Sequence, residues 1–74
     1  METKLLEIIN IVRENNGLRK LSTISDSDSL RNQLDFTSFD LAELTVRLED
    51  EFDIDIFEDG IVSTIGEIKE RLNK

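Results

Sequence analysis

A serine hydroxyl at the head of a helix is the group in this sequence whose type and setting best suggest chemistry. Thr37-Ser38-Phe39-Asp40 opens the helical run Leu41 to Phe52, with an apolar residue after Ser38 and an acid two places on. Free backbone N–H groups and the helix dipole favour an anion at such an end, so a phosphate ester on Ser38 would be well housed. No other serine in the chain has this setting. The rest of the chemical inventory is sparse, because histidine, cysteine, tyrosine and tryptophan are all absent. The usual general base, the commonest metal ligand and the protein thiol are therefore missing. An enzyme would have to work with carboxylates, lysines, arginines and hydroxyls in a fold with little room for a cleft. Independent catalysis is not expected.

Seventeen acids against nine bases give a formal net charge of −8. That disfavours nucleic acid and anionic membrane surfaces and favours a basic patch on another protein. The acids alternate with regularly spaced apolar residues, which argues against a disordered acidic tail. Three acidic stretches invite comparison with a calcium loop: Asp53-Ile54-Asp55, Glu58-Asp59-Gly60 and Asp26-Ser27-Asp28. None puts glycine at the sixth position together with a carboxylate at the twelfth, so no metal site is expected. After Met1 comes a charged amphipathic segment, and no apolar stretch is long enough for a signal peptide or membrane span. The expected state is a cytoplasmic monomer without membrane insertion.

The elements that must position Ser38 follow from periodicity. In a chain of 74 residues they make one domain, 1–74, with a core that is marginal for its size. Leu5, Ile8, Ile9 and Val12 form an apolar stripe that predicts a first helix from about Thr3, its cap, to Asn16, with Gly17 as the stop. Residues 18–37 read as a long Ser/Asp-rich loop pinned to the core by Leu18, Leu21, Ile24, Leu30 and Leu34, with a turn of helix near Leu30 to Leu34. So long a first connection suggests that the first two helices are not a tight hairpin pair. The second helix has Thr37 as N-cap, Asp40 three residues later in a variant capping box, and Phe36 and Leu41 at the staple positions. Leu41, Leu44, Leu48 and Phe52 face inward, flanked by Phe39 and Val46. Asp40, Glu43, Arg47, Asp50 and Glu51 lie on the other side. Asp53-Ile54-Asp55-Ile56 alternates like a strand but has no partner, so a connector into a short helix at about Glu58 to Val62 is expected. A last helix follows Thr64, with a capping box to Glu67 and Ile65, Ile68 and Leu72 inward. The predicted fold is all-α: three main helices, one short one and a long first loop.

Over nearly its full length this sequence resembles the acyl carrier protein family. The match is carried by Leu34-Asp35-Phe36-Thr37-Ser38-Phe39-Asp40-Leu41-Ala42-Glu43-Leu44, then Leu48-Glu49-Asp50-Glu51-Phe52 and the pair Ile54 and Ile56. Ser29-Leu30-Arg31 and Thr64-Ile65 also fall where the family has similar residues. The resemblance implies that Ser38 is esterified by 4′-phosphopantetheine, taken from coenzyme A by a phosphopantetheinyl transferase. The arm brings the thiol the chain lacks, and acyl groups ride on it as thioesters to biosynthetic enzymes of fatty acid, polyketide or other specialised acyl pathways. Lipid metabolism is the implied setting. Two departures stand at the motif: Thr37 replaces the usual aspartate, keeping the cap but losing a charge, and Phe39 replaces the usual leucine. Asp28-Ser29-Leu30 spells the family tripeptide, but no amphipathic helix of adequate length starts there. Ser38 is therefore the expected site.

In the carrier reading, Asp40, Glu43, Asp50 and Glu51 form a docking strip for basic patches on partner enzymes, interrupted by Arg47, which can pair with Glu43 at i,i+4. Phe39, Val46, Ile54 and Ile61 are the candidate lining of a partial acyl pocket. Two other readings compete. One is an unprimed carrier-like interaction module, in which Thr37 reflects loss of priming. The other is an aminoacyl carrier, D-alanyl or peptidyl, although Leu34-Asp35-Phe36 stands where peptidyl carriers have a glycine-rich approach.

Overall fold

Leucine and isoleucine at three- and four-residue spacing fold the first segment into α1, Glu2–Asn15. Leu5, Ile8, Ile9 and Val12 are all buried on its inner stripe. The computed structural model describes residues 2–56, 60 and 62–73, with only the backbone of residue 2. Thr3 lies inside α1 and does not cap it, a correction to the expected start. The C-terminal end is as the sequence indicated: Gly17 takes φ +78°. Leu18 N–H donates to Arg13 O at 2.9 Å and Gly17 N–H to Glu14 O at 3.1 Å, which closes a Schellman motif.

The second helix, α2, spans Ser38–Phe52. Thr37 caps it in an extended conformation and Asp40 completes a full capping box. At the other end Asp53 sits in the left-handed region at φ 59° and donates its N–H to Glu49 O at 2.8 Å. Leu44 and Leu48 are fully buried, whereas Leu41 and Phe52 are half-buried at the edge of the core. The last helix, α3, spans Ile65–Leu72 and buries Ile65, Ile68 and Leu72. Thr64 Oγ1 accepts from Glu67 N–H at 3.3 Å, but the Glu67 carboxylate accepts from Ser63 N–H at 3.1 Å, one residue before the expected reciprocal donor.

The 18–37 connection is ordered by its own anchors. Ile24, Leu30 and Leu34 are buried, while Leu18 and Leu21 are half-buried. Polar anchors add to them. Asn10 Nδ2 donates to Leu21 O at 2.9 Å, and Leu21 N–H donates back to Asn10 Oδ1 at 2.7 Å. Arg13, 7 % exposed, donates through Nε to Arg19 O at 2.9 Å and through Nη1 to Leu34 O at 2.7 Å. Buried polar groups are tolerated only when paired in this way. Residues 30–33 form a turn in which Leu34 N–H reaches Ser29 O at 3.1 Å.

A main-chain seam joins this loop to the start of α3. Leu30 N–H donates to Ser63 O (2.9 Å), Ile65 N–H to Asp28 O (3.1 Å) and Gly66 N–H to Asp26 O (2.8 Å). An isolated antiparallel bridge pairs Ser29 with Thr64. A Cβ at Gly66 would lie 3.1 Å from Asp26 O, so this helical glycine permits the close approach.

Among the described residues there is no strand beyond that bridge; Asp53–Ile56 is an irregular connector, as the lack of a partner implied. Ile56 is fully buried and its carbonyl accepts from Arg71 Nη1 at 3.0 Å. Glu58, Asp59 and Ile61 of the expected short helix lie outside the described residues, and Gly60 and Val62 are not helical. Helices α1 and α2 pack directly on each other, but the long loop between them means that they are not joined as a tight hairpin. The side chains of Leu5, Ile9, Leu44, Leu48, Ile56 and Ile65 meet at the centre, each fully buried. Burial at that depth stabilises by about 1.5–3 kcal/mol per side chain before entropy is counted.

Candidate functional site

Ser38 is the first residue of α2 and is exposed. The cap beside it is built entirely from its neighbours. Thr37 Oγ1 accepts from Asp40 N–H at 3.2 Å, and Asp40 Oδ2 accepts from Thr37 N–H at 2.9 Å. Leu41 N–H, the first donor of the regular helical ladder, reaches Thr37 O at 3.0 Å. The N–H groups of Ser38 and Phe39 belong to the first turn, where a helix offers no internal acceptor. The hydroxyl of Ser38 is met by Arg31, whose Nη1 donates to Ser38 Oγ at 3.4 Å.

Asp40 is the main correction to the predicted surface. It is 4 % exposed and turned inward. One carboxylate oxygen closes the capping box, and the other accepts from Asn16 Nδ2 at 2.7 Å. A side chain so engaged is not part of an exposed docking strip. Its oxygens are directed to Thr37 N–H and Asn16 Nδ2 and make no hydrogen bond to Ser38 Oγ.

The remaining predicted strip residues lie toward α1. Glu43 accepts from Arg47 Nε at 2.9 Å, the expected i,i+4 pair, and from Asn15 Nδ2 at 3.2 Å. Glu51 pairs with Lys4 of α1 at 3.4 Å, and Lys4 also approaches Glu7 at 3.5 Å. Glu51 first, then Glu7, raises the Lys4 ammonium above the ordinary lysine pKa. Arg47, Asp50 and Glu51 share a shallow groove with Lys4, Glu7, Ile8 and Ile11 of α1.

Phe39 and Val46 do not flank the core. Phe39 is 81 % exposed and Val46 65 % exposed. At 100° per residue Val46 stands about 200° around α2 from Leu44, which puts it outward. With exposed Ala42 they form an i, i+3, i+7 apolar stripe that begins beside Ser38, bordered by exposed Glu49 and Asp50. Glu49 and Ala42 are surface residues that the sequence reading did not single out, although their helical phase places them there. Of the other pocket candidates, Ile54 is half-buried against the core and Ile61 lies outside the described residues.

Ser29, in the competing tripeptide, sits differently. Its N–H donates to Gln33 Oε1 at 2.6 Å, its Oγ accepts from Asn32 N–H at 3.2 Å, and its backbone forms the bridge to Thr64.

A family model described as the phosphopantetheine attachment site matches residues 7–72. The chain belongs to that family. A search of curated proteins returned no match, and neither did a search of solved structures. Domains of the phosphopantetheine attachment family are carrier domains, not catalytic ones, and they bear covalent 4′-phosphopantetheine. They work with phosphopantetheinyl transferases and biosynthetic enzymes. The resemblance to acyl carrier proteins is thus upheld at the level of the family. The environment of Ser38 fits the group: an accessible hydroxyl, a guanidinium at 3.4 Å, first-turn amides and an acid turned away. Among the described residues no cluster of acids could hold a metal ion, and no helix is long and apolar enough to cross a membrane.

Proposed function

We propose that this chain is an acyl carrier, one domain over 1–74, that bears its 4′-phosphopantetheine on Ser38 and presents thioester-bound intermediates to biosynthetic enzymes. The observation that carries the assignment is the contrast between two serines. Ser38 Oγ is exposed at the start of a 15-residue helix, whereas Ser29 Oγ is committed to a turn. The arm supplies a thiol, which this chain lacks, and holds the cargo as a thioester. The protein's own residues orient and present. Thr37 and Asp40 fix the first turn of α2, so the serine projects from a rigid end. Thr37 performs the capping role in full without the usual aspartate, so the helix start that would present Ser38 is intact.

Docking belongs to the outer side of α2. The apolar stripe Phe39, Ala42 and Val46 offers contact area next to Ser38, and exposed Asp50 beside it offers charge to a basic partner patch, with the Glu43–Arg47 and Lys4–Glu51 pairs along the α1 side of the helix. Charge complementarity of this kind speeds encounter more than it tightens binding, which suits a shuttle that must leave each enzyme. Tethering raises the local concentration of substrate at each docked enzyme. A cytoplasmic monomer serving fatty acid or specialised acyl synthesis fits this reading better than an aminoacyl carrier.

The test is an intact mass after incubation with coenzyme A, magnesium and a broad-specificity phosphopantetheinyl transferase. One arm should add to the wild type and to Ser29→Ala, and none to Ser38→Ala. Addition to Ser38→Ala, or no addition to any form, would overturn the assignment.

A further inference from the structure

Among the described residues, Arg31 is the one side chain that donates to Ser38. It is exposed, lies in the turn that follows the Ser29–Thr64 bridge, and holds its guanidinium at 3.4 Å from Ser38 Oγ. The turn that carries it is fixed on both sides. Leu30 is fully buried and its N–H is bonded to Ser63 O, while Phe36 N–H reaches Leu30 O at 2.9 Å. Arg31 is thus presented by a rigid segment, although its own tip is in solvent. Among the described residues no carboxylate lies within ion-pair distance of Arg31, and nearby Asp40 is occupied by Thr37 and Asn16. A neutral hydroxyl at 3.4 Å is a weak partner for a guanidinium. A phosphate oxygen is a strong one, because charge-assisted and bidentate contacts are roughly twice as strong as neutral ones.

We propose that Arg31 is a positioning residue for the prosthetic arm: it pairs with the phosphodiester carried by Ser38 and biases the arm toward the 29–37 loop and away from the open face of α2. The proposal rests on Ser38 being the attachment atom. Its chemistry is direct, since phosphorus bonds to the same oxygen that Arg31 contacts. The loss of aspartate at position 37 is part of it, because an acid there would compete for the guanidinium.

The experiment compares apo and holo forms of the wild type, Arg31→Gln and Arg31→Lys, all loaded to completion as judged by intact mass. Two readouts apply: the holo-minus-apo difference in Tm, and the ³¹P chemical shift of the diester. In low salt the Tm difference should be more positive in the wild type than in Arg31→Gln by about 1–8 °C, the range for an exposed ion pair in a domain this small. It should collapse in 1 M salt, where screening acts over about 3 Å. The ³¹P resonance should move in Arg31→Gln, and Arg31→Lys should restore part of both effects. Identical Tm differences and identical ³¹P shifts in wild type and Arg31→Gln would overturn the role of Arg31 while leaving the carrier reading intact. A wild type that takes no arm would instead overturn the carrier reading, and this proposal with it.

Discussion

Asn16, one residue beyond α1, donates a 2.7 Å hydrogen bond to the Asp40 carboxylate in the first turn of α2. The same amide nitrogen donates to Val12 O at 2.9 Å, so it is held to its own helix while it holds the next. The turn that carries Ser38 is thereby moored to the end of α1. Asp40→Ala should remove the mooring and the capping box together and destabilise the fold by about 1–3 kcal/mol. Thermal unfolding should show a Tm lower by roughly 5–15 °C. Asp40→Asn, which keeps an acceptor for one of the two donors, should lose less. If Asp40→Ala left Tm unchanged, the inward carboxylate would have no structural role.

Arg13 ties two distant carbonyls, Arg19 O and Leu34 O, from a nearly buried position. Arg13→Met keeps the packing of the stem but removes both donors. We expect a loss of about 1–3 kcal/mol in urea unfolding, since Leu34 O is left as an orphaned buried acceptor, whereas Arg19 O lies on an exposed residue and can turn to water. Hydrogen exchange should quicken in residues 18–34 before it does in α2. Uniform acceleration across the chain would contradict a local anchor.

Asp35 adopts φ 58°, three residues before Ser38. Aspartate tolerates the left-handed region and a β-branched residue does not. Asp35→Val should therefore cost about 1–3 kcal/mol, whereas Asp35→Gly should fold with near wild-type stability. Equal stability of the two variants would show that this backbone conformation is not required.

Asp50 is exposed and makes no ion pair among the described residues. Asp50→Lys should leave Tm within a few degrees of wild type. Stopped-flow association with a partner enzyme should slow several-fold in low salt and converge with wild type in high salt, because steering is screened. A slowed association that persists in high salt would mean that Asp50 acts through packing, not charge.

Lys4 bridges α1 to Glu51 of α2, and Glu51 is the largest cause of its raised pKa. A cation whose folded pKa lies above its unfolded value stabilises fully below the unfolded pKa, and the contribution is lost as pH rises through the folded one. The urea midpoints of wild type and Lys4→Met should differ at neutral pH and converge in the strongly alkaline range. A gap that stays constant to that limit would rule out the charge as its source.

Much of the fold was legible because helices advertise themselves. Thr37 and Asp40 sit at capping-box spacing, and Gly17 and Asp53 close the two helices they follow. The role of Asp40 is legible too, in its spacing from Thr37. A carboxylate that closes a capping box cannot also be offered to a partner, and helical phase puts Asp40 on the side of Leu44. Apolarity alone suggests that Phe39 and Val46 turn inward, but that same phase puts them outside. What no local pattern could reveal is the pairing of Asn10 with Leu21 or of Arg13 with Leu34 O. Those partners are 11 and 21 residues apart and are backbone groups, which carry no mark in the sequence. The contact between Arg31 and Ser38 depends likewise on the turn that folds one back on the other.

The seam between residues 26–30 and 63–66 makes the long connection a girder, not slack rope. Swinging α3 outward to widen the interior would mean unmaking main-chain bonds to the very segment that leads to Ser38. In the proposed carrier reading, a bulkier cargo would therefore find room by displacing side chains, with the last helix held in place.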